Sequence, residues 1–260
     1  MYATNRPGWP PAPGGTWVLD LDGVVWLTGQ PIDGVPEALA DLHSSGVRPL
    51  YATNNAGPTV DELLARLRRA GVDAGPDDLV TSAQAAAGML EPGSRVLTVA
   101  GPGVAEALAG RGVQVVDDGR VDAVVVGWTD RFDFERLAKA ATAVRRGARL
   151  VGTNEDATLP TPEGLLPGAG ALLAAVATAS GTRPDVAGKP HRPLADLIAA
   201  RRSDIRVVVG DRPSTDGRLA ERLEVPFALV LSGVTAPGDP VGQPAPAVTA
   251  PDLGCLVAGR

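Results

Sequence analysis

From Thr16 onward the chain repeats one rhythm: a short, nearly continuous apolar run, a turn, then an amphipathic stretch of helical period. Trp17-Val-Leu-Asp-Leu-Asp22 precedes a helical pattern over Val35–Ser45, and Val47–Thr53 precedes another over Thr59–Ala70. Runs of the same kind recur at Arg95–Ala100, Ala123–Val126, Arg149–Val151, Arg206–Gly210 and Phe227–Leu231. Strands without a polar face are buried on both sides, and their alternation with helices predicts parallel sheets in an α/β fold. Residues 1–15 have no such period and hold four prolines and three glycines, which predicts a loose arm. A second Pro/Ala/Gly-rich stretch spans 236–251, and no repeat of fixed period is present.

In open parallel sheets, ligands collect just beyond the carboxyl ends of the strands. Four of those ends carry polar residues. Asp20-Leu-Asp22-Gly23 places two carboxylates at i and i+2, entering a Gly turn. They can converge on one point, although Asp and Gly also suit any plain turn. Thr53-Asn54-Asn55 offers a hydroxyl, two amides and turn N–H groups to an oxyanion, or an Asx-turn before the next helix. Gly188-Lys189-Pro190 presents a compact cation or an ordinary solvated lysine. Val207-Val-Val-Gly210-Asp211 ends a wholly apolar strand in an acid, with Asp216 five residues later at a helix start. There Asp216 can serve the helix N-terminus for ~0.3–1 kcal/mol.

Taken together, Asp20, Asp22, Asp211 and Asp216 would crowd several carboxylates into one cleft. Like charges ~4 Å apart cost about 4 kcal/mol per pair at an effective dielectric near 20, so the cluster calls for a cation. Hard oxygen donors without His or Cys select Mg2+, and the Thr53 turn with Lys189 supplies further anion-binding groups. The ensemble describes a phosphoryl-transfer centre.

Spacing adds the domain organisation. The 33 positions from Asp20 to Thr53 are consumed by one helix and one strand, whereas 136 separate Thr53 from Lys189. The latter exceeds one βα step, so an inserted domain is expected at about 83–183, with a core over 16–82 and 184–260.

Composition narrows the setting. The 260 residues carry 30 acidic and 24 basic side chains, a formal charge of −6, and 44% are apolar. That supports a real core and argues against nucleic acid or an anionic membrane as partner. Cys255 is the only cysteine, so no internal disulfide can form. The longest charge-free apolar stretch, Ala169–Ala179, is about half of what spans a bilayer. The first residues lack the apolar stretch of a signal peptide, so a cytoplasmic setting is expected. Of the 24 basic residues only Lys139 and Lys189 are lysines, which lends Lys189 some weight.

The segments Asp20-Leu-Asp-Gly-Val-Val-Trp26, Tyr51-Ala-Thr-Asn-Asn55, Gly188-Lys-Pro190 and Gly210-Asp-Arg-Pro-Ser-Thr-Asp216 resemble, in order, the four motifs of the haloacid dehalogenase superfamily. The closer likeness is to its NagD-like, 4-nitrophenylphosphatase-type branch, which has similar patterns at Val126-Gly-Trp128, Phe132-Asp133, Thr153-Asn-Glu-Asp156 and Pro160 to Gly170. The resemblance runs from about Trp17 to Thr235. It implies a Rossmann-like core, an α/β cap between the second and third motifs, and a Mg2+-dependent phosphatase acting on a small phosphorylated metabolite. Asp20 would be the nucleophile forming an aspartyl-phosphate, and Asp22 the acid and then the base. Mg2+ would be held by Asp20, the main-chain carbonyl of Asp22, Asp211 and Asp216. Thr53, Asn54, Asn55 and Lys189 would bind phosphate, and Trp128, Arg131 and Asp156 are cap candidates for substrate contact that ordinary packing explains equally well. Caps of this branch often pair, so a homodimer is compatible.

Two departures stand out. Pro213-Ser214 and Gly217 replace the usual residues of the fourth motif, and His191 and Arg192 follow Gly-Lys-Pro where small residues are common, most simply as a surface helix start. His43 reads as a half-buried helix residue. A dehalogenase would not need the metal cluster or Asp22. A phosphomutase would release no orthophosphate. A receiver-like switch fails on motif order, because Lys189 precedes Asp211. A dormant phosphometabolite-binding protein would keep every motif.

Overall fold

A computed structural model describes residues 9, 13–27, 30–161 and 164–259. Most of the arm expected over 1–15, and Pro162 and Glu163 of the quoted cap pattern, lie outside the described residues. The chain divides into two compact units. One comprises the residues up to Thr53, Leu63–Val80 and those from Ala195 onward; the other comprises Asn54–Glu62 and Thr81–Leu194.

The first unit is built on a six-stranded sheet in the order Val248–Ala250, Phe227–Val230, Ile205–Gly210, Gly15–Leu19, Val47–Thr53, Leu79–Thr81. The four pairings that join its first five strands are parallel. The apolar runs at Trp17, Val47, Arg206 and Phe227 sit in this sheet, and both of its faces are covered: Val18, Leu19, Leu50, Val207 and Val209 have no exposed surface. Burying a side chain of this kind stabilises the fold by roughly 1.5–3 kcal/mol. The Val35–Ser44 helix buries Val35, Ala38, Leu39 and Leu42, a 3–4 spacing that makes one stripe. His43 lies about 40° round the helix from Leu39, just outside the edge of the stripe, and is exposed rather than half-buried.

At the edge of this unit Asp204 accepts from Thr16 Oγ1 at 3.0 Å and pairs with Arg48 at 2.6 Å. Burial pushes the Asp204 carboxyl up, but the two hydrogen bonds and the Arg48 charge outweigh it and hold it below the usual carboxylate range.

The second unit has its own five-stranded sheet, ordered Asp185–Val186, Arg149–Gly152, Ala123–Val126, Arg95–Val99, Gln114–Val115, with every pairing parallel. Val99, Val124, Val126, Ala140, Val144, Leu150, Leu173 and Val176 form its core beneath the Phe134–Arg145 and Ala169–Ser180 helices. An antiparallel hairpin, Thr158–Thr161 with Gly164–Pro167, precedes the second of these. Among the described residues no helix is long and apolar enough to cross a membrane.

Candidate active site

In the first unit the strand order reverses around Gly15–Leu19: later strands extend from it on one side to Leu79–Thr81 and on the other to Val248–Ala250. Such a switch point opens a crevice at the carboxyl ends of the two strands that flank it. Leu19 pairs with Val209, so the residues leaving these adjacent strands, Asp20 and Asp211, emerge side by side. The Asp20 N–H donates to Val209 O at 2.9 Å, and Asp20 Oδ1 accepts from Leu21 N–H at 2.8 Å.

Asp216 joins them through a turn wider than an α-helical one. The N–H groups of Asp216 and Gly217 both donate to Arg212 O, at 2.9 and 3.4 Å, winding Pro213–Gly217 as a single turn of π-helix. This folds the Asp216 carboxylate back over the strand end, where Oδ2 accepts from Arg212 N–H at 3.2 Å and Thr215 Oγ1 at 3.3 Å. The approach is so close that a Cβ on Gly210 would overlap the Asp216 carboxyl group. Pro213, Ser214 and Gly217 therefore reshape the motif without moving its acid away.

Oxygens of Asp20, Asp211 and Asp216 all lie within 4.8 Å of one another. Asp211 and Asp216 are buried, at 2% and 0% exposure, and Asp20 is half-buried. Asp211 Oδ2 accepts from Val234 N–H at 2.6 Å, and Thr235 Oγ1 donates to the Asp211 carbonyl at 2.6 Å. Gly23, with φ +88°, turns the chain after Asp22 where a side chain would strike Asp211. Among the described residues the group that converges here consists of three carboxylates, a hard oxygen set, which fits Mg2+.

The Asp22 side chain is oriented by a residue to which the sequence reading gave no role: Trp26 Nε1 donates to Asp22 Oδ1 at 2.9 Å. Thr53 ends its strand buried, at 1% exposure. The loop residues Ser232, Val234 and Thr235 also went unassigned; Ser232 Oγ donates to Gly23 O at 2.7 Å. Little in a Ser-Gly-Val-Thr sequence distinguishes such a loop from any other.

The remaining predicted residues lie in the second unit. Lys189, 3% exposed, has its N–H bonded to Asn54 Oδ1 at 2.7 Å, and its carbonyl accepts from Asn54 Nδ2 at 3.2 Å. Asn54 Nδ2 also donates to Asp156 Oδ2 at 3.1 Å. Asn55 Oδ1 accepts from Gly57 N–H at 3.2 Å, the Asx-turn anticipated as the plain alternative. Trp128 Nε1 donates to Pro167 O at 3.2 Å, and Arg131 is exposed with its N–H on Thr129 Oγ1 at 3.1 Å. His191 Nε2 lies 2.9 Å from Glu155 Oε2, so the start of the Arg192–Arg201 helix is tied to the Thr153–Asp156 segment.

Residues 17–114 match the family model of haloacid dehalogenase-like hydrolases, and residues 186–256 match a second model of the same hydrolases. A solved glycerol phosphate phosphatase of Mycobacterium tuberculosis, in complex with magnesium, superimposes with a TM-score of 0.84 at 40% identity over 94% of this chain and 76% of that one. The chain belongs to the haloacid dehalogenase-like hydrolases. Within this family, a p-nitrophenyl phosphatase from Archaeoglobus fulgidus superimposes with a TM-score of 0.86 at 28% identity, covering 95% of this chain and all 100% of that one. The resemblance to the 4-nitrophenylphosphatase-type branch is thus borne out. An acid sugar phosphatase of Staphylococcus saprophyticus is 33% identical over 84% of this chain and 87% of its own length. The D-glycerol 3-phosphate phosphatase of M. tuberculosis is 43% identical over 86% of this chain, and the match spans 65% of that relative's length.

Proposed function

We propose that this chain is a Mg2+-dependent phosphatase of small phosphomonoesters, with a core over 16–82 and 184–260 and an α/β cap over about 83–183. The observation that carries the reading is the meeting of Asp20, Asp211 and Asp216 oxygens within 4.8 Å at the switch point of a parallel sheet. Repulsion among these carboxylates is unfavourable unless a cation completes the site.

Asp20, Asp211 and Asp216, with the Asp22 main-chain carbonyl, would hold Mg2+. When bound, the ion offsets the charge of the carboxylates and of the phosphoryl oxygens. Asp20 Oδ1 accepts the Leu21 N–H, which orients the carboxylate, and Asp20 is the nucleophile. It displaces the ester oxygen from phosphorus in line, forming an aspartyl-phosphate as the P–O ester bond breaks. Asp22, held by the Trp26 indole, gives its proton to the departing alkoxide. The resulting Asp22 carboxylate then takes a proton from water as that water attacks phosphorus, which frees Asp20 and releases orthophosphate. Thr53 and the main-chain N–H groups of Asn54 and Asn55 would hold the nonbridging oxygens, and Lys189 would offset their charge.

The relatives act on glycerol 3-phosphate and on sugar phosphates by name, which supports a small polyol or sugar phosphate as substrate. The test is orthophosphate release from a panel of glycerol, sugar and p-nitrophenyl phosphates, with and without EDTA. Turnover that EDTA stops and Asp20→Asn abolishes is expected. Turnover surviving Asp20→Asn, or no orthophosphate from any phosphomonoester, would overturn the reading.

A further inference from the structure

An asparagine side chain has two N–H donors on Nδ2 and an acceptor oxygen. In Asn54 all of them are committed inside the second unit: Nδ2 donates to Asp156 Oδ2 at 3.1 Å and to the Lys189 carbonyl at 3.2 Å, while Oδ1 accepts the Lys189 N–H at 2.7 Å. Both donors are spent, so the side chain has none to offer a phosphate.

The main chain of Asn54 is equally fixed. Its carbonyl accepts from Ser82 Oγ and from Asn154 Nδ2, each at 2.7 Å. Gly188 N–H donates to Thr153 O at 2.8 Å, and a Cβ on Gly188 would overlap Asn54 Oδ1 and Thr153 O. Asn154 Oδ1 in turn receives the Asp156 N–H at 3.0 Å. Three segments separated in sequence, the turns at 54 and 153–156 and the helix start at Ser82, are thus laced around the peptide of Lys189.

We infer that Asn54 is the positioning residue of Lys189, gripping it by both N–H and C=O, and that Asp156 orients the Asn54 amide instead of contacting substrate. The carboxylate of Asp156, an acceptor, reinforces the amide orientation that the Lys189 N–H and C=O already select, with Nδ2 toward acceptors and Oδ1 toward the Lys189 N–H. This deepens the proposed function and rests on it for the role of the Lys189 ammonium group.

The test is a double-mutant cycle with Asn54→Ser and Lys189→Met, read in kcat and KM on p-nitrophenyl phosphate and in affinity for inorganic phosphate. Displacing a catalytic group by about 1 Å costs on the order of 100-fold, so Asn54→Ser lowers kcat at least tenfold with a smaller change in KM. In the Lys189→Met background the same substitution costs less than about twofold, because interacting residues are not additive. Losses that multiply would show an independent role for Asn54 and overturn the inference. A polarity swap supplies the rescue: Asn54→Asp sets two acceptors against each other, and adding Asp156→Asn restores a donor between them. At least fivefold recovery over Asn54→Asp is expected, and none would refute the role of Asp156. Amide exchange at Lys189 is the arm independent of any ligand. Asn54→Ser accelerates it more than tenfold relative to neighbouring amides of the 186–191 segment, and unchanged protection refutes the clamp. Failure of the phosphatase reading shows instead as wild-type protein that releases no orthophosphate while the exchange result stands.

Discussion

Removing one charge from the acidic cluster separates the shared-ion account from a merely structural one. In Asp211→Asn the new side chain keeps an oxygen for the Val234 N–H, which Asp211 Oδ2 now accepts at 2.6 Å. What changes is one formal charge among three whose oxygens lie within 4.8 Å. At an effective dielectric near 20, unit charges at that separation repel by about 3.5 kcal/mol per pair, so two relieved pairs amount to about 7 kcal/mol gross. Hydrogen bonds from main-chain N–H groups already offset much of this, and a net gain of about 1–3 kcal/mol is expected in the metal-free protein. Thermal melts in EDTA and in Mg2+ read both effects. Magnesium at 100 times its Kd stabilises wild type by about 2.7 kcal/mol, equivalent to a rise of about 5–10 °C for a chain of this size. Asp211→Asn should melt several degrees above wild type in EDTA and gain less than about 2 °C from Mg2+. A magnesium response equal to that of wild type would refute the shared ion. A variant that melts below wild type in EDTA would refute the repulsion.

Three further outcomes follow from the same geometry. Trp26→Phe removes the N–H that bonds Asp22 at 2.9 Å; kcat for orthophosphate release should fall about tenfold with little change in KM, since a positioned proton donor contributes 10²–10⁴-fold, and an unchanged kcat would deny the indole its orienting role. Gly210→Ala drives a methyl group into the Asp216 carboxyl, so it should cost about 1–3 kcal/mol and weaken Mg2+ binding measured by calorimetry, whereas unchanged affinity would detach Asp216 from the ion. Asp204, held below its ordinary range, binds its proton more weakly folded than unfolded. Its contribution is therefore complete above about pH 4 and is lost as pH falls through the lower folded value; the melting gap between wild type and Asp204→Asn should stay constant from pH 7 to 5 and close below 4.

The local code of the strands was legible because burial on both faces leaves a signature in the chain itself. Val207-Val-Val-Gly210 and Ala123–Val126 are apolar at every position, and in the structure both are sheet strands with no exposed position among these residues. The candidate acids were legible too, since Asp20, Asp22 and Asp211 stand where apolar runs stop and Asp216 at the helix start that follows. His43 was misread because a lone polar residue in a helix reveals its side only once the stripe of Val35, Ala38, Leu39 and Leu42 is set against a partner. Trp26 and Asn154 lie inside the quoted motif segments, yet what they and Val234 bond was not legible, because a hydrogen bond to a loop leaves no period.

What the residue order determines by itself is the succession of strands and helices, the acids at the strand ends and the length of the interval between Thr53 and Lys189. It does not contain the order of strands within a sheet. That Asp20 and Asp211, 191 positions apart, leave neighbouring strands follows from the Leu19–Val209 pairing, and that Asp216 turns back to them follows from the wide turn onto Arg212 O. Strand adjacency is decided by which apolar faces pack together, a property of the whole sheet. An ion-binding cluster made by residues from distant segments exists only once that packing is complete.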